Sequence, residues 1–185
     1  MLAESGAMRA FIAIEVPEQI RQRIASLGAG LGGFRSVGQE NMHITLFFLG
    51  SITFEQMQSV KSAMDKLAIQ PFAIEVSGVG SFTQSVPRVL FAKISQGAEN
   101  IIGIFRIMRS EIAACCKIED RELVPHITIA RARNASMGFK EATEFISRYK
   151  DYNFGRFQCD AITLKKSVLS SKGPEYANLY VRELS

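Results

Sequence analysis

Apolar positions along the chain fall into two alternating regimes. One is a set of short runs that are either unbroken or spaced by two: RAFIAIEV (9–16), MHITLFFL (42–49), FAIEVSGV (72–79), RVLFAKI (88–94), VPHITIAR (124–131), GRFQCDA (155–161), ITLKKSVL (162–169) and YANLYVREL (176–184). Their length, β-branched content and flanking turn residues predict strands. The other regime has period 3.6. Ile20, Ile24, Leu27 and Leu31 follow Pro17 and stop at Gly32 and Gly33. Met57, Val60, Met64 and Leu67 follow Thr53 and Gln56, a capping-box pair at a helix start. Ile101, Phe105, Met108, Ile112 and Cys115 form a third stripe, and Phe139, Ala142, Ile146 and Tyr149 a fourth.

The order helix, strand, helix, strand, strand occurs once in each half of the chain, and no linker-like composition separates the halves. This predicts an α+β fold of two pseudo-symmetric lobes, each a mostly antiparallel sheet with helices on its outer face, packed as one domain over residues 8–185. Residues 1–7, ahead of the first apolar run, are expected to form a flexible N-terminal extension.

With 185 residues, 47% of them hydrophobic, the chain can bury a substantial core. Its apolar runs fall short of the ~18 to 20 residues that span a bilayer, and the amino terminus lacks the basic region of a signal peptide. A soluble cytoplasmic protein with no membrane partner is expected. Cys115 and Cys116 are adjacent and Cys159 leaves an odd count, so a disulfide framework is not expected. The same cysteines and two lone histidines lack metal-ligand spacing, so no metal and no cofactor are expected. A net charge of +4 suits an anionic substrate without the dense basic blocks of a duplex-binding arm.

The candidate chemistry lies in the histidines. His43 and His126 are the only two in the chain, and each begins the same pattern, His-Ile-Thr-aliphatic, inside a predicted strand. Alternate residues of a strand share a face about 6.6 to 7 Å apart, so His43 and Thr45 point together, as do His126 and Thr128. Ile44, Leu46, Ile127 and Ile129 then face the helices. If pseudo-twofold symmetry brings the strands together, two imidazoles and two hydroxyls line one cleft between the lobes. In-line cleavage of a phosphodiester needs a base on one side and an acid on the other, and histidine can serve as either near neutral pH. Hydroxyls can donate to the non-bridging oxygens as charge builds on them.

HITLFFLG and HITIAR resemble the paired motifs of the two-histidine (2H) phosphoesterase superfamily. The opening MRAFIAIEVP, PRVLFAKI and the closing ITLKKSVLSSKGPEYANLYV extend the likeness over residues 8–182, to the bacterial and archaeal RNA 2',3'-cyclic phosphodiesterases, also called 2'-5' RNA ligases. The resemblance implies an acid/base pair, His43 and His126, that opens a 2',3'-cyclic phosphate to a 2'-phosphate, with weak reverse 2'-5' ligation. His43 would protonate the leaving 3' oxygen and His126 activate water. Thr45 and Thr128 would bind phosphate oxygens, Arg131 the phosphate or base, and Phe48 would lie near the nucleobase. The expected partners are RNA ends bearing a cyclic phosphate, tRNA fragments among them, or small nucleotides, met by a monomer.

Strand alternation complicates two of these positions. It puts Arg131 on the face opposite His126 unless the strand ends or bulges near Ala130. Phe47 and Phe48 must face opposite ways, so core packing is the alternative for Phe48. Lys165, Lys166, Lys172, Arg88, Arg121 and Arg133 are candidates to flank an RNA end, with solvent exposure as the alternative for each. A tryptophan common after Leu90 in relatives is replaced by Phe91. Two other functions stay open: a non-catalytic RNA-end or nucleotide-binding module, and a phosphodiesterase for ADP-ribose 1'',2''-cyclic phosphate or 2'-5' oligoadenylate.

Overall fold

The computed structural model describes residues 7–83, 85–134, 139–171 and 173–185. Most of the expected N-terminal extension, and Lys172, lie outside the described residues. Nine strands form one sheet: β1 Met8–Glu15, β2 Phe34–Ser36, β3 His43–Ile52, β4 Phe72–Ser81, β5 Val89–Gln96, β6 His126–Ala132, β7 Asn153–Cys159, β8 Ala161–Ser170 and β9 Gly173–Glu183. Among the described residues, four helices accompany them: α1 Glu18–Gly28, α2 Phe54–Asp65, α3 Ala98–Cys115 and α4 Phe139–Arg148.

Local sequence accounts for most of these elements. Thr53 caps α2 as the pattern predicts: its hydroxyl accepts from the Gln56 amide while the Gln56 side chain accepts from the Thr53 amide, and Met57, Val60 and Met64 are buried beneath. In α3, Ile101, Phe105, Met108 and Ile112 form the buried stripe. In α4 the buried pair is Ala142 and Phe145, and Phe139, expected in the stripe, is exposed. At the end of α1, a Cβ on Gly28 would lie 2.9 Å from the Ile129 side chain, so glycine lets the helix close down on β6. β2 and a single 3-10 turn at Gln39–Asn41 carry too few residues to register in the apolar pattern.

The sheet runs β7-β4-β5-β6-β3-β1-β8-β9, with β2 on β6, and every pairing is antiparallel. It is strongly curled. The α+β architecture is therefore as expected, but the two-lobe pseudo-symmetry is not established. The halves of the sheet are also not the halves of the chain: β1 and β3 complete themselves with β8 and β9, while β4 and β5 take β6 and β7. Strand periodicity carries no information about which strands pair, and that choice settles the architecture.

Candidate active site

The two motif strands are neighbours. β3 and β6 meet at Ile44 and Ile127, both with no exposed surface, and this pairing joins the two parts of the sheet. An antiparallel register about that pair sets His43 across from Thr128 and Thr45 across from His126. The histidines are then diagonal neighbours, about 7 to 8 Å apart in a regular ladder, enough to admit a phosphate between them. All four side chains are half-buried, whereas Ile44, Leu46, Ile127 and Ile129 are buried in the core, as the alternation predicts.

Past each threonine the alternation breaks in the same way. Thr45 pairs with Ala13 and Phe47 with Ile12, leaving Leu46 as an extra residue in β3. Thr128 pairs with Phe91 and Ala130 with Leu90, leaving Ile129 extra in β6. A bulge of one residue inverts the parity of everything after it. Phe48 thereby joins the face of His43 and Thr45, half exposed at 50%, and Arg131 joins the face of His126 and Thr128. Phe47 takes the buried side and stacks on Phe105 of α3, ring centroids 4.7 Å apart. The two motifs thus present the same triplet of positions: His43, Thr45 and Phe48 from one strand, His126, Thr128 and Arg131 from the other.

Each imidazole is anchored to its own strand entry. The Nδ1 of His126 lies 2.7 Å from the Val124 carbonyl oxygen. A carbonyl can only accept, so Nδ1 carries the hydrogen and Nε2 is left with the lone pair. The His43 ring makes the corresponding bond to the Asn41 carbonyl. Aromatic rings complete both settings. Phe11 and Tyr176 lie 4.8 and 5.4 Å from the His43 ring, and Phe82 and Phe91 lie 4.9 and 5.2 Å from that of His126.

Burial is the main force on both titrations. It lowers His43 from 6.5 to about 4, against the Asn41 hydrogen bond; the Lys165 cation lowers it further, Glu15 opposes, and His126 adds a small lowering. His126 is lowered by burial against its Val124 bond, and the cations of Arg131 and Arg121 push the same way. The charged groups that shift them differ: the cations of Arg131 and Arg121 act on His126, while on His43 the Lys165 cation is opposed by Glu15, its partner in the β1–β3 ladder. Glu15 is bound by the Lys165 ammonium, which also donates to the Asn178 side chain at 2.8 Å.

Two adjoining cavities open over this face. One of about 390 Å³ adjoins His126, with Thr45, Phe82, Leu123, Val124 and Arg131 in its wall. A wider one of about 860 Å³ adjoins His43, with Arg9, Phe11, Lys117, Leu169 and Tyr176. Phe48, Ile118, Glu119 and Arg121 line both, so the segment after α3 stands over the divide. Thr128 shares the face but lines neither cavity. Among the described residues, no three His, Cys, Asp or Glu side chains group as metal ligands, and no helix is long and apolar enough to cross a membrane.

Residues 14–91 match the family model described as LigT like Phosphoesterase. The chain is 30% identical to the RNA 2',3'-cyclic phosphodiesterase of Archaeoglobus fulgidus over 183 residues, 95% of this chain and 100% of the other. It is 34% identical to the protein of the same name from Methanocaldococcus jannaschii over 172 residues, 91% of this chain and 96% of that one. The chain belongs to the LigT-like phosphoesterases. The fold agrees: the crystal structure of E. coli LigT complexed with 3'-AMP matches with a TM-score of 0.81 over 97% of this chain and 99% of that one, at 24% identity.

Within this LigT-like phosphoesterase, sequence reasoning located the two motif strands but passed over part of what surrounds them. Lys165, grouped with surface cations, is buried at 8% exposure. The signal available was its neighbours, since Ile162, Thr163 and Leu164 are also buried and β8 lies inside the sheet. Arg121 lines both cavities, while Arg88 and Arg133 are exposed and line neither. Phe82 sits in the loop after β4, where no periodicity could single it out, yet its ring stands edge-on to His126.

Proposed function

We propose that this LigT-like phosphoesterase is an RNA 2',3'-cyclic phosphodiesterase that makes a 2'-phosphate by metal-independent acid/base catalysis with His43 and His126. The observation that carries the reading is the meeting of two His-x-Thr strands at one sheet pairing, each imidazole tied through a ring nitrogen to the carbonyl two residues upstream. The names of the Archaeoglobus and Methanocaldococcus relatives supply the substrate.

The chemistry follows from the charges. His126, among cations and with Nε2 free, keeps its lone pair and takes a proton from the attacking water. His43 takes up its proton when the anionic substrate is bound, with Glu15 favouring the protonated form against Lys165, and it delivers that proton to the departing 3' oxygen. The anionic cyclic phosphate between them raises the proton affinity of both rings and offsets the burial that depresses His43. Thr45 and Thr128 donate to the non-bridging oxygens, Arg131 counters the charge of the phosphorane, and Phe48 offers its exposed ring to the base. Because the imidazoles carry both proton transfers, a 5' hydroxyl taking the place of water as the attacking group is joined to the phosphorus by the same pair, with the 3' oxygen again leaving, which gives a 2'-5' bond. Residues 8–185 act as one unit, since motif strands from both halves share the sheet.

The test is hydrolysis of an oligoribonucleotide ending in a 2',3'-cyclic phosphate, in excess EDTA, with the product isomer resolved. Wild type yields the 2'-phosphate, and His126→Ala and His43→Ala each lose about 10²- to 10⁴-fold in turnover, the usual worth of a general acid or base. Near-normal turnover in either variant, or activity that EDTA abolishes and a divalent ion restores, overturns the reading.

A further inference from the structure

The wider cavity beside His43 has features that hydrolysis of a cyclic phosphate does not use. Arg9 of β1 and Lys117, just past α3, are exposed in its wall, and neither has an ion-pair partner among the described residues. The acidic residues of the same wall are already answered: Asp120 is bound by Arg109, and Glu119 pairs with Arg121 at 2.8 Å. Two free cations therefore dominate the local charge. Leu169, 68% exposed at the end of β8, and the ring of Tyr176 on β9 add an apolar ledge beside them.

The connectivity of ribose says what such a surface would meet. With His43 protonating the 3' oxygen, the sugar lies on the His43 side of the phosphorus. C4' and C5', which lead to the rest of the RNA, are bonded onward from C3'. The base hangs from C1', on the 2' side. The base is thus directed toward Phe48 and the divide, while the 5' chain leaves over the wider cavity. A phosphodiester reaching Arg9 and Lys117, with a base on Leu169 and Tyr176, matches the charge and the apolar surface there.

On the basis of the phosphodiesterase reading, we infer that the cavity formed by Arg9, Lys117, Leu169 and Tyr176 is a second nucleotide subsite. It binds the residue 5' to the cyclic phosphate, which makes the enzyme selective for RNA ends over cyclic mononucleotides. Its selectivity is electrostatic and stacking in origin, and so largely independent of base identity.

The test compares kcat/KM on adenosine 2',3'-cyclic phosphate with that on the dinucleotide ApA bearing a terminal 2',3'-cyclic phosphate, for wild type and the double variant Arg9→Ala, Lys117→Ala. Wild type is expected to prefer the dinucleotide by about tenfold or more, the worth of a charge-assisted phosphate contact. The double variant loses that preference and keeps the mononucleotide rate. The dinucleotide advantage also falls with salt, by about 0.7 in log–log slope per phosphate contacted, and the variant flattens this dependence. Equal kcat/KM for the two substrates in wild type, or a parallel loss on both in the variant, overturns the subsite while leaving the phosphodiesterase intact. If wild type turns over neither substrate, the phosphodiesterase reading itself falls, and the subsite with it.

Discussion

Acidification should remove stability through His43 in a way that one substitution isolates. The imidazole is lowered from 6.5 to about 4 in the folded protein, chiefly by burial. A group whose folded value is depressed binds protons more readily when unfolded, so stability is intact above pH 6.5 and declines as pH falls toward 4. At pH 5 the unfolded imidazole is almost fully protonated and the folded one only about one-tenth, so linkage gives a loss of about 2 kcal/mol between pH 7.5 and 5. Carboxylates titrate over the same range, and His43→Gln removes only the histidine contribution. Urea unfolding of both proteins at the two pH values gives the difference: wild type should lose about 2 kcal/mol more than the variant. The chain has only two histidines, so its imidazole Cε1–H spectrum holds two signals, and His126→Ala assigns them. A His43 signal titrating at 6.5 or above, or an equal pH-dependent loss in both proteins, would refute the burial account. Adding a nucleoside 2'-phosphate should move both titrations upward, because a bound anion favours both imidazolium forms.

Two further outcomes are expected. Lys165→Met removes a cation that lowers His43 and should raise its titration point, whereas Glu15→Gln removes a carboxylate that raises it and should lower it; shifts of the same sign in the two variants would show that the ion pair is not felt at the imidazole. Ile127→Ala, at the fully buried pairing that joins the motif strands, should cost about 2 to 5 kcal/mol in urea unfolding, and a cost below about 1 kcal/mol would mean that this pairing does not hold the sheet together.

What could be read in advance follows the range of the interaction responsible. The helices and most strands come from local periodicity, and the start of α2 from a hydrogen-bond pair three residues apart, so both were visible in the chain. The facing of His43, Thr45, His126 and Thr128 needed only the two-residue period of a strand. Phe48 and Arg131 needed more, because the residue that each motif strand fails to pair is defined by its partner: Leu46 by the register with β1, Ile129 by that with β5. Sequence could state that Arg131 required the strand to end or bulge near Ala130, but not which of these occurs. Lys165 was misread because its counter-ion, Glu15, lies far from it along the chain, and a cation looks exposed until its partner is known.

The interleaving of the sheet also bears on how the molecule comes into being. β1 precedes the other described strands in the chain, and one of its edges is filled by β8, with Ala10 beside Lys166. An amino-terminal fragment ending after β5 would carry β1 and β3 without β8 and β6, leaving open one edge of β1 and one edge of β3, the strand that holds His43. Those edges must therefore be kept from pairing elsewhere until β6 and β8 have been made. Ladders so distant in sequence close slowly, because loop entropy is spent before contacts reward it. Products truncated before β6 and β8 should accordingly be aggregation-prone rather than half-active.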